Sequence, residues 1–175
     1  MLASTILYVR VLGVLVAVCP AALPLAGPPL ATMLSIMAAL AAAAWLSARR
    51  EPADLPVHGN PTELKSALLF TLLFALVLLA VAAAKEYLGQ RGLYGVALLS
   101  GLTDMDPITL STAQMVNAGR LEADTCWRLI LLASLANLVF KGAMAALLGG
   151  SALFRHLAPW FGLALAAGGL LLAAW

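Results

Sequence analysis

Apolar segments of about 20 residues cover most of this chain, and this is the length at which a helix crosses the hydrocarbon core of a bilayer. Six segments reach that length, and they give the predicted helices Thr5–Ala26, Pro28–Ala48, Leu64–Ala84, Leu93–Ala118, Cys126–Gly149 and Leu153–Ala174. Only 10% of the residues are charged, whereas soluble domains carry about 25%. The sequence therefore predicts a single all-α domain over residues 1–175, a polytopic membrane protein with the lipid bilayer as its environment.

Basic residues predict the orientation, because Lys and Arg accumulate on the cytoplasmic side of membrane proteins. One polar loop, residues 49–61, separates the second predicted helix from the third. With six alternating crossings, five basic residues fall on one side and three on the other: Arg49, Arg50, Lys65, Arg120 and Arg128 against Lys85, Arg91 and Arg155. This count predicts that both termini lie in the cytoplasm. The net charge of +2 is small and gives no indication of a nucleic-acid partner.

The N-terminal region has a second interpretation. The apolar run from Leu12 to Cys19, followed by small residues up to Ala26, has features of a signal peptide. Against this interpretation, no basic residue precedes Arg10, and the apolar character continues without a polar start to a mature chain.

The fourth predicted helix contains two carboxylates within the stretch GLTDMDPIT, residues 101–109. Ionisable side chains are costly inside a membrane and indicate functional sites. Proline lacks a backbone donor, and it disfavours helical dihedral angles in the residue before it. We therefore predict that the helix stops near Met105 and restarts with Asp106 as its N-cap and Pro107 at its first helical position.

A break at this point would allow Asp104 and Asp106 to converge, because residues two apart on a continuous helix point to nearly opposite faces. Carboxylates and the hydroxyls of Thr103 and Thr109 are hard oxygen ligands of the kind that suit Mg²⁺ or Ca²⁺. These four residues form a candidate ion- or substrate-binding group, in which the two aspartates are the candidate metal ligands. In the alternative interpretation, Asp106 merely caps a helix and Asp104 reaches the membrane interface.

The fifth predicted helix supplies candidate partners for the aspartates. Asn137 and Lys141 are four residues apart and share one helix face. A lysine far from both ends of a membrane helix requires a counter-ion, so we predict an ion pair between Lys141 and Asp104 or Asp106, with Asn137 satisfying a remaining carboxylate or released carbonyl. A purely structural pair is the alternative. Arg10 is explained by snorkelling to the headgroups, with substrate binding as the alternative.

No catalytic arrangement is visible in the sequence. The two histidines, His58 and His156, lie far from the aspartates along the chain, and no nucleophile elbow or phosphate loop is present. Cys19 and Cys126 are expected at opposite membrane faces, roughly 30 Å apart, and thus not in a disulfide. We predict that the chain is not an enzyme and has no certain cofactor, with a divalent cation such as Mg²⁺ as the candidate ligand.

Several motifs resemble one known family. The segments are NPTELKSALLF, EYLGQRGLY, LLSGLTDMDPITLSTAQM and LASLANLVFKGAMAALLGG, together with YVRVL and PLAGPPLATM near the N-terminus. They are similar to the membrane domain of unknown function 4010, which often follows an MgtC/SapB-like domain in bacteria. The resemblance covers nearly the whole chain and implies a bacterial inner-membrane location. It implies no established activity, although the association with MgtC hints at magnesium.

Two departures from the family matter. The family usually has alanine where Pro107 stands and asparagine where Cys19 stands. The family domain also resembles a tandem repeat, and this chain begins after the motif helix of the first copy, which implies a fragment or a half that pairs. We therefore expect a homodimer or association with a partner membrane domain. An internal echo fits a repeat, because Arg10 precedes Cys19 by the same nine residues that separate Arg128 from Asn137.

These observations together predict a transporter or channel subunit for a cation or a small solute. The cation would resemble Mg²⁺ or be coupled to protons, and the intramembrane aspartates would bind it. The alternative is a structural or regulatory membrane subunit that transports nothing.

Overall fold

The computed structural model describes residues 2–48, 72, 92–148 and 150–175, and it shows helices joined by short turns with no strand among these residues. The helices are α1 (Leu2–Val18), α2 (Leu23–Ala48), α3 (Leu93–Thr103), α4 (Asp106–Asn117), α5 (Ala123–Leu148) and α6 (Gly150–Ala174). The predicted all-α class is confirmed. The predicted helix Leu64–Ala84 and the polar loop 49–61 lie outside the described residues.

Three of the described segments are long and apolar enough to cross a membrane, namely Pro20–Ser47, Ala123–Leu147 and Phe154–Ala174. α1 and α3 are also apolar but shorter. A continuous apolar surface of this length has no counterpart in ordinary soluble helices, which carry a polar face. The described part of the chain is therefore a bundle of membrane-type helices.

The first hairpin turns earlier than the sequence predicted. α1 ends at Val18, and a short 3₁₀ turn over Pro20–Ala22 leads into α2. The residue before a proline is disfavoured in the α conformation, and Cys19 indeed adopts φ −142° and ψ 69°. The predicted turn between Ala26 and Pro28 was wrong, because α2 continues through this stretch. Proline is tolerated inside membrane helices when neighbouring groups satisfy the released carbonyls.

Two contacts made by polar side chains fix the direction of α1 against α4. Arg10 forms an ion pair with Asp106, and the amide of Asn117 donates to the carbonyl oxygen of Val18. Two matched contacts in the same order mean that α1 and α4 run parallel. The tight turn after α1 then makes α2 antiparallel to both.

α5 runs antiparallel to the pair α3–α4. Near the end of α3, Gly101 packs against the backbone of Ala133, and farther along α4, Thr112 lies beside Cys126. Cys126 and Cys19 are therefore at the same end of the bundle, so their predicted placement at opposite faces was wrong. Both cysteines are free.

α6 returns antiparallel to α5 and completes the described bundle. Phe161 lies 3.4 Å from the position that a Cβ on Gly142 would take, and Arg128 donates a hydrogen bond of 3.1 Å to the carbonyl of Leu172. Because α6 is thus parallel to α1, Leu2 and Ala174 lie at opposite ends of the bundle. The prediction that both termini share one side does not fit this arrangement.

The core lies between α1, α2 and α5, and α5 packs against α2, α3, α4 and α6. Its largest fully buried side chains include Trp127, Tyr8, Leu15, Met33 and Leu131. Burying large side chains of α5 against two other helices holds this helix at the centre of the bundle. α5 can therefore position polar groups against α1 and α3 at the same depth.

Candidate functional site

The fourth predicted helix is divided into α3 and α4, with Asp104 and Met105 between them. Asp104 is extended, with φ −151° and ψ 137°. Its Oδ1 accepts a hydrogen bond of 3.1 Å from the backbone N–H of Asp106, which is the local pattern by which aspartate side chains form turns. Met105 therefore occupies the N-cap position, Asp106 is the first helical residue, and the Asp104 carboxylate caps α4 from one residue before the N-cap. The prediction that Asp106 is the N-cap was wrong.

The last carbonyls of α3 accept hydrogen bonds from side chains as well as from the helical ladder. The Ser100 carbonyl accepts the backbone N–H of Asp104 at 2.9 Å and the Thr103 hydroxyl at 3.1 Å. The Gly101 carbonyl has no helical donor four residues later because the chain is no longer helical there. The side-chain amide of Asn137 donates to it at 2.9 Å. This is one of the two contacts expected for Asn137 from the sequence.

Gly101 allows this contact because it has no side chain. A Cβ on this residue would lie 2.7 Å from Cα of Ala133 on α5, closer than real Cβ contacts allow. Small residues at helix crossings permit backbones to approach closely in membrane proteins. The close crossing of α3 and α5 brings Asn137 within reach of the interruption.

Asp106 forms an ion pair with Arg10 of α1. The Arg10 and Asp106 side chains keep 62% and 35% of their accessible surface, respectively. Arg10 lies near the middle of α1, away from either end of the helix. Snorkelling, which the sequence suggested, therefore does not describe the contact that the structure shows for Arg10.

Lys141 does not occupy the position predicted for it. Within the described part of the chain it makes no ion pair with either aspartate, so the predicted direct contact was wrong. Since α5 is antiparallel to α3, the step from Asn137 to Lys141 leads about 6 Å away from the interruption. Arg10, not Lys141, is the basic residue that pairs with an aspartate. Both are basic residues within apolar helices, so the sequence signal for Arg10 was the same as the one for Lys141.

The two threonines of the predicted group bond to their own helices. The Thr109 hydroxyl is buried and donates to the Met105 carbonyl at 2.8 Å. The Thr103 hydroxyl donates to Ser100, as described above. Neither hydroxyl bonds to an aspartate carboxylate in the described part of the chain.

A cleft of about 470 Å³ lies beside the aspartates and is lined by Val14, Asp104, Asp106, Pro107 and Leu110. Asp104 is exposed and makes no ion pair among the described residues. With Arg10 paired to Asp106, the group of three side chains carries one net negative charge. The arrangement can take up a proton or a small cation on Asp104.

A resident divalent cation does not fit these residues. Mg²⁺ and Ca²⁺ sites combine several oxygen ligands, usually with carboxylates, but the Asp106 carboxylate is already occupied by a guanidinium. Among the described residues, no three Asp, Glu, His or Cys side chains come together as metal ligands. The proposed metal role of Asp104 and Asp106 would therefore depend on Asp104 with backbone or solvent oxygens.

No solved structure matches this chain. An uncharacterized protein of Aquifex aeolicus (strain VF5) is 33% identical over 94 residues, a match that covers 54% of this chain and 41% of the relative. The family described as Domain of unknown function (DUF4010) matches residues 1–149. This match includes α1 to α5 and the aspartate stretch, and the chain belongs to the DUF4010 family.

Proposed function

We propose that this chain is part of a membrane transporter that moves a proton or another small cation, with Asp104 as the ion-binding carboxylate. The observation that carries the proposal is an aspartate that is exposed beside a cleft at a helix interruption and has no ion pair with any described residue. The neighbouring Asp106 already has Arg10 as its counter-ion. A mobile cation is therefore stabilised more strongly at Asp104 than at Asp106.

The position of the interruption supports a role in transport. α3 has 11 residues and α4 has 12, so the non-helical step falls halfway along a segment that we place across the bilayer as one broken intramembrane helix. Non-helical backbone at that depth is tolerated where it is buried in protein or lines a water-filled cavity. Broken helices of this kind form the substrate and ion sites of many transporters.

The charge at the start of α4 favours a cation over an anion. Helix N-termini attract anions because their N–H groups and the helix dipole are positive. Here the Asp104 carboxylate accepts the first N–H, and Asp106 lies in the first turn. The chain itself therefore fills the position that an anionic solute would take.

We place the protein in the bacterial inner membrane with the N-terminal end of the bundle in the cytoplasm. In the sequence, Arg49 and Arg50 follow the end of α2, Arg91 precedes the start of α3, and Arg155 comes early in α6; these helix ends are all at the same end of the bundle as Leu2. Two basic residues, Arg120 and Arg128, belong to the other end. Basic residues are retained on the cytoplasmic side. With this orientation, we expect Trp175 at the opposite face of the membrane.

A structural or regulatory subunit without a transport path is the second candidate. It is favoured by polar side chains whose hydrogen bonds join helices, such as Tyr8 with the Ser134 hydroxyl and Asn137 with the Gly101 carbonyl. Such bonds hold helices together and leave these groups unavailable to a solute. In a structural subunit, the Arg10–Asp106 ion pair would serve only to join α1 to α4.

The test is ion flux into liposomes that contain the purified chain. A membrane potential is imposed with K⁺ and valinomycin, and proton entry is followed with a pH-sensitive dye inside the vesicles. Asp104→Asn should reduce the flux at least tenfold while keeping the cap, since an amide oxygen still accepts the N–H of Asp106. Gln114→Ala, an exposed change on α4, should leave the flux unchanged. Wild-type vesicles whose proton flux in this assay, and whose Na⁺ uptake measured without valinomycin, do not exceed those of empty vesicles would favour the structural candidate.

A further inference from the structure

We propose that Arg10 determines the ion selectivity of the Asp104 site. By holding Asp106 in an ion pair, Arg10 leaves one net negative charge, so the site accepts a proton or a monovalent cation and rejects divalent cations. This inference rests on the proposed function, because it takes Asp104 as the ion-binding carboxylate. It concerns the charge of the site and can be tested without any measurement of transport.

The position of Arg10 is fixed by the packing of α1. Tyr8, two residues earlier, is completely buried and bonds to Ser134 of α5, while the C-terminal end of α1 is held by Asn117 at Val18. Because these contacts lie before and after Arg10 along α1, this helix can neither slide nor rotate freely against α4. The guanidinium is therefore held at Asp106 by helix packing as well as by its own ion pair.

The chemistry of arginine makes this counter-charge permanent. A guanidinium stays protonated at any pH a cell experiences, and it has no acceptor with which to bind a metal. A divalent ion at Asp104 would meet a fixed positive charge next to the second carboxylate it needs, and like charges a few ångströms apart repel strongly at the effective dielectric constant of a protein. A proton or a monovalent ion requires one carboxylate, and Asp104 supplies it.

The experiment measures binding of Mn²⁺, a spectroscopic stand-in for Mg²⁺, to the purified full chain in detergent. Free Mn²⁺ is quantified by electron paramagnetic resonance at neutral pH. Arg10→Gln should lower the Kd for Mn²⁺ by at least about tenfold relative to wild type, since two carboxylates become available. Arg10→Lys keeps the positive charge and should behave like wild type. Arg10→Gln combined with Asp106→Asn restores one net negative charge and should lose the gained affinity.

A second variant leaves the ion pair intact, in case Arg10→Gln does not fold. Leu110 lines the same cleft and is 43% exposed. Leu110→Glu adds a carboxylate beside Asp104 without removing Arg10, so it should also gain affinity for Mn²⁺, and Leu110→Gln should not. Higher Mn²⁺ affinity in both Arg10→Gln and Leu110→Glu would support the proposal. The gain should be absent from the two controls, Arg10→Gln with Asp106→Asn and Leu110→Gln.

Two results would overturn the inference. One is wild-type protein that binds Mn²⁺ as tightly as Arg10→Gln, and the other is no gain in either charge-altering variant that folds. Flux measurements separate this outcome from failure of the proposed function. Proton flux without any gain of Mn²⁺ affinity would contradict the role of Arg10 in selectivity and leave the proposed transport function intact. A gain of Mn²⁺ affinity without proton flux would support the role of Arg10 and contradict the transport function.

Discussion

The side-chain amide of Asn137 donates a hydrogen bond of 2.9 Å to the carbonyl oxygen of Gly101, which joins the centre of α5 to the last turn of α3. The carbonyl is available because the helix ends at Thr103. An unpaired carbonyl at this depth would cost free energy, since neither helix nor water would satisfy it. The contact therefore links the interruption of the α3–α4 segment to the central helix of the bundle.

Asn137→Leu should destabilise the protein by about 1–3 kcal/mol, because it leaves the Gly101 carbonyl buried without a donor while nearly preserving volume. The measurement is thermal unfolding in detergent. Gln114→Leu, which also replaces an amide but at an exposed position, serves as the control and should change the unfolding temperature little. Equal shifts in both variants would mean that the contact contributes nothing specific.

Gly101→Ala should be strongly destabilising, because the added Cβ would overlap the Ala133 backbone, which cannot move aside as a flexible side chain can. Overpacking of this kind typically costs about 1–3 kcal/mol. Gly13→Ala on α1 is the matched control, since no atom lies within 4 Å of its added Cβ. Thermal unfolding in detergent of both variants decides the matter, and a tolerated Gly101→Ala would contradict the close crossing.

Pro107→Ala should leave the step between α3 and α4 in place and change the unfolding free energy by less than about 1 kcal/mol. Pro107 is the second residue of α4, a position at which a backbone N–H has no helical acceptor. Asp104→Ala should cost more, about 0.5–2 kcal/mol, because it removes the cap. Equilibrium unfolding of both variants tests the ranking. A larger loss for Pro107→Ala would show that proline rather than the cap maintains the step.

Leu2 and Trp175 should be accessible from opposite sides of the membrane. Both are exposed, at 67% and 55%, and they lie at opposite ends of the described bundle. Single cysteines at these positions, in a Cys19→Ala and Cys126→Ala background, are labelled in intact cells with a membrane-impermeant maleimide. We expect label at Trp175→Cys before lysis and at Leu2→Cys only after lysis. Labelling of both from the same side would contradict the helix directions.

The sequence by itself determined the all-helical class and indicated an interruption near Asp104 and Met105, but it misplaced the turn of the first hairpin. Apolar length predicted the helical segments, and the Asp-Pro step predicted an irregularity near Met105, because hydrophobicity and the missing proline N–H act within a few residues. The turn at Cys19–Pro20 carried the same local signal, although the predicted first helix ran on to Ala26. These features depend on backbone chemistry close to each residue, so they can be predicted without a fold.

Only the tertiary structure decided which charges meet. Lys141 and Arg10 are equally costly cations in apolar helices, and nothing local distinguishes them as partners of Asp106. The choice depends on the direction and register of α1 and α5 against α4, which packing across more than 90 residues of sequence sets. An antiparallel α5 carries Lys141 away from the interruption, and a parallel α1 brings Arg10 to it. Because that long-range register pairs Arg10 with Asp106, it leaves Asp104, which caps α4 through a local contact, as the carboxylate without a counter-ion among the described residues.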